Sequence, residues 1–247
     1  MRVISYNLRK HAAAPELEEL VDRWGANVLC LQEADTEAMP RQISGLTLAR
    51  ATSQNRLGLA LYYRENMFQL QDVITLALKK SLHDILLRPA HERVLAARLR
   101  DIDAGTDVII ASFHAAPLTA LNSLRRHQIR TALTELQKMG DGVPVLMVGD
   151  YNYPVFKERL SERVRREGYD LTLSDSRTYT RYRFFKGHYD FATSVGLDIE
   201  KVTTLPQGAS DHLPILVTAT YKQGHRELRS VSDPSHDEET TEETTAE

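Results

Sequence analysis

The sequence predicts an α/β fold in which two β-sheets pack face to face, with helices on their outer sides. Three observations carry this reading. Strand-length apolar runs outnumber segments with helical period. Strand-like and helix-like stretches alternate along a chain of 247 residues, with no internal linker or repeat. The apolar runs, such as Leu57 to Tyr63 and Val145 to Val148, fall far short of the ~20 residues that span a bilayer.

Arg2 to Asn7 reads as the first strand. Pro15 to Trp24 reads as a helix, because Leu17, Leu20, Val21 and Trp24 fall on one face and Gly25 suits its C-terminal cap. Asn27 to Gln32 is a continuous apolar run, as a buried strand would be. Between Thr47 and Asp103 come short β-like runs without a helix: Leu57–Tyr63, Phe68–Leu76 and Val94–Leu99. Val108 to Phe113 is another buried strand. Leu118 to Met139 reads as a long helix with Ile129, Ala132, Leu133 and Leu136 on one face. Pro144 to Val148 reads as a strand, Val155 to Arg166 as a helix, and Phe191–Thr193 and Ile215–Thr220 as the closing strands.

The formal net charge of −3 hides an uneven distribution. After Arg229 there is no Lys or Arg, but there are seven acids: Asp233, Asp237, Glu238, Glu239, Glu242, Glu243 and Glu247. Residues 1–230 therefore carry 31 basic and 27 acidic groups, a net of +4, which permits a polyanionic partner. We divide the chain into a catalytic domain, 1–230, and an acidic tail, 231–247, too poor in apolar residues to offset its ordering entropy. The single cysteine, Cys30, excludes an intrachain disulfide and sits in an apolar run, where it should act as a small buried hydrophobe. With no signal peptide before the first strand, the expected location is cytoplasmic, specialised export aside. The expected state is a monomer without a protein partner.

Chemically competent residues sit where apolar strands stop. Asn7 follows the first strand and Glu33 the second. His114 follows Val108–Phe113, and Asp150 and Asn152 follow Val145–Val148. Asp190 lies in His188-Tyr189-Asp190-Phe191, and Asp211 and His212 lie in Ser210-Asp211-His212-Leu213-Pro214. Each alone reads as a turn former, a cap or a hydrogen-bonded histidine. Together they form an ordered, chemically complementary set.

The markers Ser5-Tyr6-Asn7, Leu31-Gln32-Glu33, Gly149-Asp150-Tyr151-Asn152, Tyr189-Asp190-Phe191 and Ser210-Asp211-His212 resemble the endonuclease/exonuclease/phosphatase superfamily. The resemblance runs from Met1 to about Tyr221. It implies the DNase I-like four-layer α/β sandwich, two mainly antiparallel sheets flanked by helices. Ser112-Phe113-His114 and the helix after it look most like the DNase I branch. That branch pairs the histidine with a glutamate, for which Ser53 to Arg64 offers no carboxylate; the nearest segment is Gln54-Asn55-Arg56.

The resemblance implies hydrolysis of phosphate esters with Mg²⁺ or Mn²⁺. Glu33 is a hard oxygen ligand, and Asn7 and Asp211 complete or orient its shell. Asp150 orients or deprotonates the attacking water, and Asn152 donates to the phosphate. Asp190 holds the imidazole of His212, and His114 is a second imidazole near the phosphate. Either Asp150 or the Asp190–His212 pair is the general base. No Ser or Cys setting suggests a covalent intermediate. Arg93 is expected on phosphate by the same resemblance. The basic and aromatic stretch Arg177 to Lys186, with Arg181 and Arg183, suits a phosphate backbone. Arg125, Arg126 and Arg130 read as a solvated helix face. The leading expectation is a DNA endonuclease or exonuclease. The alternatives are a phosphatase or phosphodiesterase acting on phosphoinositides, phospholipids or small phosphorylated molecules, and a non-catalytic binding module.

Overall fold

A computed structural model describes residues 1–81, 91–153, 157–180 and 187–223. The Arg181 and Arg183 expectations, the start of the helix read from Val155 and the acidic tail lie outside the described residues.

Among the described residues thirteen strands form two sheets. The first sheet contains β1 (Arg2–Asn7), β2 (Val28–Ala34), β3 (Gln42–Ile43), β4 (Leu46–Ala51), β5 (Gly58–Tyr63), β12 (Leu197–Thr204) and β13 (Ile215–Tyr221), in the order β12-β13-β1-β2-β5-β4-β3. The second contains β6 (Phe68–Ala77), β7 (Glu92–Asp101), β8 (Thr106–His114), β9 (Val145–Asp150), β10 (Asp170–Leu173) and β11 (Asp190–Val195), in the order β10-β11-β9-β8-β7-β6. Pairing is antiparallel except between β1 and β2 and between β8 and β9. Each parallel pair is bridged by a helix on the outer side, α1 (Leu17–Trp24) or α2 (Asn122–Gln137), as a parallel crossover requires. A third helix, α3 (Lys157–Arg166), follows β9.

Three apolar layers hold this arrangement together. Val3, Val28, Cys30, Leu61, Leu95, Val108, Ile110, Leu146, Val148 and Val217 fill the space between the sheets. Side chains of α1, including Leu17 and Val21, pack on the first sheet with Ile4, Leu29 and Leu31. Ile129, Leu133 and Leu136 of α2, with Leu160 and Val164 of α3, pack on the second with Ile109, Met147 and Phe191. Strand residues thus alternate between the central layer and an outer one, and both faces of each sheet are covered. This gives the expected four-layer α/β/β/α sandwich. Cys30 is fully buried within it, as expected.

One polar cluster crosses the central layer. Gln32 Nε2 donates to Ser112 Oγ at 2.9 Å, and Ser112 Oγ donates to the carbonyl of Leu31 at 3.1 Å. It pins β2 to β8 one residue below Glu33 on one strand and two below His114 on the other. Buried polar groups that are mutually satisfied fix relative position more strictly than apolar contacts do.

Four strands had no counterpart in the sequence reading: β3, β4, β10 and β12. Three of them, β3, β10 and β12, are sheet edges.

Candidate active site

The strand ends anticipated to carry chemistry meet at one end of the sandwich. The β8–β9 register sets His114 opposite Asp150, and the β9–β11 register sets Asp150 opposite Asp190. Gly149 makes this closeness possible, since a Cβ there would collide with the carbonyl of Phe113.

Asp150 Oδ2 is the hub. It accepts from Asn7 Nδ2 at 3.1 Å and from Asn152 Nδ2 at 3.1 Å, while Oδ1 accepts from the Asn152 backbone at 2.9 Å. His114 Nε2 and His212 Nε2 each lie 3.7 Å from the same Oδ2. The other nitrogen of His212, Nδ1, lies 2.9 Å from Asp190 Oδ2. Thus Asn7, His114, Asp150, Asn152, Asp190 and His212 come together. Glu33 and Asn152 both adopt left-handed backbone, with φ of 52° and 47°. Such strain persists where surroundings over-determine it, and it concentrates at functional sites.

Burial shapes the electrostatics. It is the main cause raising the carboxyl of Asp150 well above the usual range; the charge of His212 opposes it, and Asp190 and Glu33 reinforce it. Burial would lower His212, but the carboxylates of Asp190 and Asp150 outweigh it and hold the imidazole protonated. Burial, together with the charges of Arg93 and His212, pushes His114 well below its ordinary value, so this second imidazole is neutral. Two histidines flanking one carboxylate therefore sit in opposite protonation states.

Glu33 approaches from β2. Its Oε2 accepts from the Lys10 backbone at 2.9 Å, and among the described residues nothing bonds its Oε1. Among the described residues Asn7 Oδ1 accepts from the Arg9 backbone alone, at 3.0 Å, which leaves it a lone pair. These are hard oxygen donors suited to Mg²⁺ or Mn²⁺. Asp211 Oδ2 lies 3.7 Å from Arg9 Nε. A separate buried trio, Asp150, Asp190 and His212, offers ligand atoms within 4.8 Å of one another. The His212–Asp190 hydrogen bond and the register that sets Asp190 opposite Asp150 bring these three groups together.

Several positioning residues escaped the sequence reading. Ser210 Oγ donates to the Asn7 carbonyl at 2.7 Å and accepts from the His212 backbone at 3.1 Å, tying the Asp211–His212 loop to β1. Thr178 Oγ1 accepts from the backbones of Tyr189 and Asp190 at 3.0 and 3.1 Å. The ring of Tyr179 stands edge-on to His212, with centroids 4.9 Å apart. Arg93, which the sequence resemblance singles out as a phosphate contact, is only 3% exposed and donates through Nη1 to the carbonyls of His114 and Ala115 at 3.3 and 3.1 Å. It braces the strand end that carries His114.

The solvated face expected for Arg125 is corrected. Arg125 is 4% exposed; its Nη1 donates to the Pro117 carbonyl at 2.6 Å and its Nη2 to Asn122 Oδ1. With Gln128, whose Oε1 accepts from the Ala116 backbone at 2.8 Å, it clamps the loop after His114. The signal was present: Arg125 and Gln128 flank Ile129 and Ala132 on the apolar face, where polar side chains need partners. Segment 53–55, which lacks a carboxylate of its own, receives one from Glu92. Glu92 Oε2 accepts from the Ser53 and Gln54 backbones at 3.0 and 2.9 Å.

Residues 4–212 match the Endonuclease/Exonuclease/phosphatase family. No curated protein matches the sequence. Among solved structures, the catalytic domain of human Nocturnin with bound sulfate superposes with a TM-score of 0.71 at 17% identity, over 90% of this chain and 94% of that one. The mannosyl-6-phosphatase Bt3783 of Bacteroides thetaiotaomicron gives 0.73 at 14% identity, over 90% and 100%. D. rerio TDP2 in complex with a single-strand DNA product gives 0.70 at 12% identity, over 89% and 98%.

Proposed function

Since the chain belongs to the Endonuclease/Exonuclease/phosphatase family, whose members are generally hydrolytic phosphoesterases, we propose that it is a divalent-metal-dependent phosphodiesterase acting on DNA. The observation that carries this reading is the buried hub at Asp150, which joins a carboxylate, a cationic imidazole and two amide donors at one point.

The geometry supports the following roles. Asp150, in its ionised form, accepts a proton from the attacking water while Asn7 and Asn152 hold its oxygens in place. The water oxygen bonds to phosphorus and the P–O ester bond breaks. The departing oxygen takes up a proton from solvent and Asp150 returns its own to solvent, leaving a phosphomonoester and an alcohol. Protonated His212 donates from Nε2 to a phosphoryl oxygen, with Asp190 fixing the ring through Nδ1. Neutral His114 supplies a second donor on the other side of Asp150. Members of this family typically use divalent metals. Mg²⁺ or Mn²⁺ held by Glu33 and Asn7, with Asp211 beside them, would neutralise charge on the phosphoryl oxygens.

The likeness to a sugar-phosphate phosphatase favours a second reading, hydrolysis of small phosphomonoesters. The test is the purified protein with Mg²⁺ or Mn²⁺ on supercoiled plasmid, labelled oligonucleotides, a phosphoinositide panel and sugar phosphates. Nicking or trimming of DNA supports the first reading. Turnover confined to monoesters replaces it with the second.

A further inference from the structure

Beyond the hub, the outer face of the second sheet carries a basic groove. It lies between α2 and α3, has a volume of about 440 Å³, and includes Arg126, Arg130, Arg163 and Arg166 in its walls, with Glu167 at one end. Among the described residues no carboxylate pairs with any of these four arginines, and Arg130, Arg163 and Arg166 are exposed. A floor of Ile129, Leu133, Leu160 and Val164 holds the two helices together beneath them. A second cleft of about 440 Å³, carrying Lys79 and Lys80, shares Ser123 and His127 with the first. The two clefts make one basic band past the start of α2, whose first turn carries no acid.

One contact links the band to the segment that carries the candidate active site. Arg126 Nη1 donates to the hydroxyl of Tyr153 at 3.1 Å, and Tyr153 follows Asn152 directly. We propose that this groove is a binding track for the phosphate backbone of a polynucleotide, outside the bond being cut. The proposal rests on the phosphodiesterase reading and narrows its substrate to a polymer.

The shape selects the occupant. From Ser123 to Leu133 the groove follows α2 for about 15 Å, a length along which one strand of a duplex presents about four phosphates. Arginine forks match phosphate oxygens bidentately. A lipid surface would need a convex apolar face, whereas these cations line a concavity. A small phosphate ester would span only part of that length.

The test uses the full chain and three exposed arginines outside the catalytic cluster. The variant R130Q/R163Q/R166Q is compared with R41Q/R50Q/K138Q, which removes the same charge elsewhere. Binding of a fluorescein-labelled single-stranded oligonucleotide is read by anisotropy in chelator. Hydrolysis of bis(p-nitrophenyl) phosphate is read with metal. The expected result is oligonucleotide affinity at least about tenfold weaker in the groove variant, a salt slope shallower by about 2, and unchanged small-diester hydrolysis. Equal affinity and slope in the two variants would overturn the track. So would a groove-specific loss of binding to phosphatidylserine vesicles with oligonucleotide binding intact. The two failures are distinct: DNA cleavage with an idle groove removes only the track, while groove-dependent oligonucleotide binding without DNA cleavage removes only the nuclease reading.

Discussion

At the scale of single residues, the surroundings shift the two imidazoles beside Asp150 in opposite directions, His114 down and His212 up. His212 owes its charge to Asp190 and Asp150, which overcome burial and push its pKa up to about 10. The imidazolium is therefore expected to persist through the neutral range in the metal-free protein, and to titrate only in alkali. The pairing stabilises the fold fully below the unfolded imidazole's pKa of about 6.5 and ceases to do so as pH rises through about 10. Asp190→Asn should lower the His212 pKa and reduce kcat about 10²–10⁴-fold, with KM changing less. Imidazole NMR titration and steady-state kinetics read both effects; a His212 resonance that titrates alike in the two proteins contradicts the pairing. Glu33 answers a different question. Glu33→Gln keeps the shape but removes a hard anionic oxygen, so the Mg²⁺ midpoint for activity should rise about 10–100-fold or more, with little change in Tm. Full activity of the native protein in excess chelator, with metal removal verified, would remove the metal from the reaction.

At the scale of elements, strands buried on both faces announced themselves, while three of the four sheet edges, and β4 beside one of them, did not. β2, β8 and β9 are runs of buried apolar residues that no other element explains. β12 reads Leu-Asp-Ile-Glu-Lys-Val-Thr-Thr and β10 Asp-Leu-Thr-Leu, because an edge strand is half solvated and keeps charge against stray pairing. The ends of β1, β2, β8, β9 and β11 yielded the site for a related reason: a polar residue that stops an apolar strand is conspicuous. Asn7 and Asp150, the last residues of β1 and β9, were legible on that ground, whereas Asp190 opens β11 and His212 precedes β13, each beside an apolar strand rather than at its stop. Thr178, Ser210 and Arg125 were not legible, since hydroxyls and guanidinium groups that serve loop carbonyls and amides look like ordinary loop and helix residues. The same concealment covers the β7–β8 pair. There the buried Asp107 accepts from Arg98 Nε at 2.9 Å and from Arg100 Nη1 at 3.2 Å. Burial alone would raise the Asp107 carboxyl, but the hydrogen bonds from Arg98 and then Arg100 outweigh it and hold its pKa below the ordinary value. Its contribution to stability is therefore complete above the unfolded carboxyl's pKa and vanishes as pH falls through the lower folded one. Asp107→Ala should cost about 1–2 kcal/mol near neutrality. The gap from the native protein should close in strong acid. Urea melts at neutral and acidic pH decide this, and a gap that stays constant with pH would place the stabilisation in packing instead.

At the scale of the whole molecule, charge and fold are arranged to opposite ends. The body through residue 230 carries a net of +4, and the seven acids all follow Arg229. The described chain closes at Gln223, next to Lys222, whose Nζ lies 3.1 Å from Asp170. Asp170 comes four residues after Arg166, the last residue of α3. Gln223, the last described residue, therefore lies near the end of α3, which carries Arg163, Arg165 and Arg166 in its last turn. A polyanion tethered beside a basic groove competes with a phosphate backbone at a raised effective concentration. We expect the segment to weaken polynucleotide binding as well as to aid solubility. Ending the chain after Val231 should tighten oligonucleotide binding at low salt, and the gain should shrink as salt screens the competition. Turnover at saturating DNA should barely change, because no residue of the Asp150 hub is removed. If the track between α2 and α3 is where competition occurs, truncation should gain nothing in R130Q/R163Q/R166Q. Oligonucleotide anisotropy on the four proteins at low and high salt reads the coupling directly. Equal affinities of full-length and truncated protein at low salt would leave the segment no part in substrate binding. A gain that survives in the triple variant would place the competition at the catalytic hub rather than in the groove.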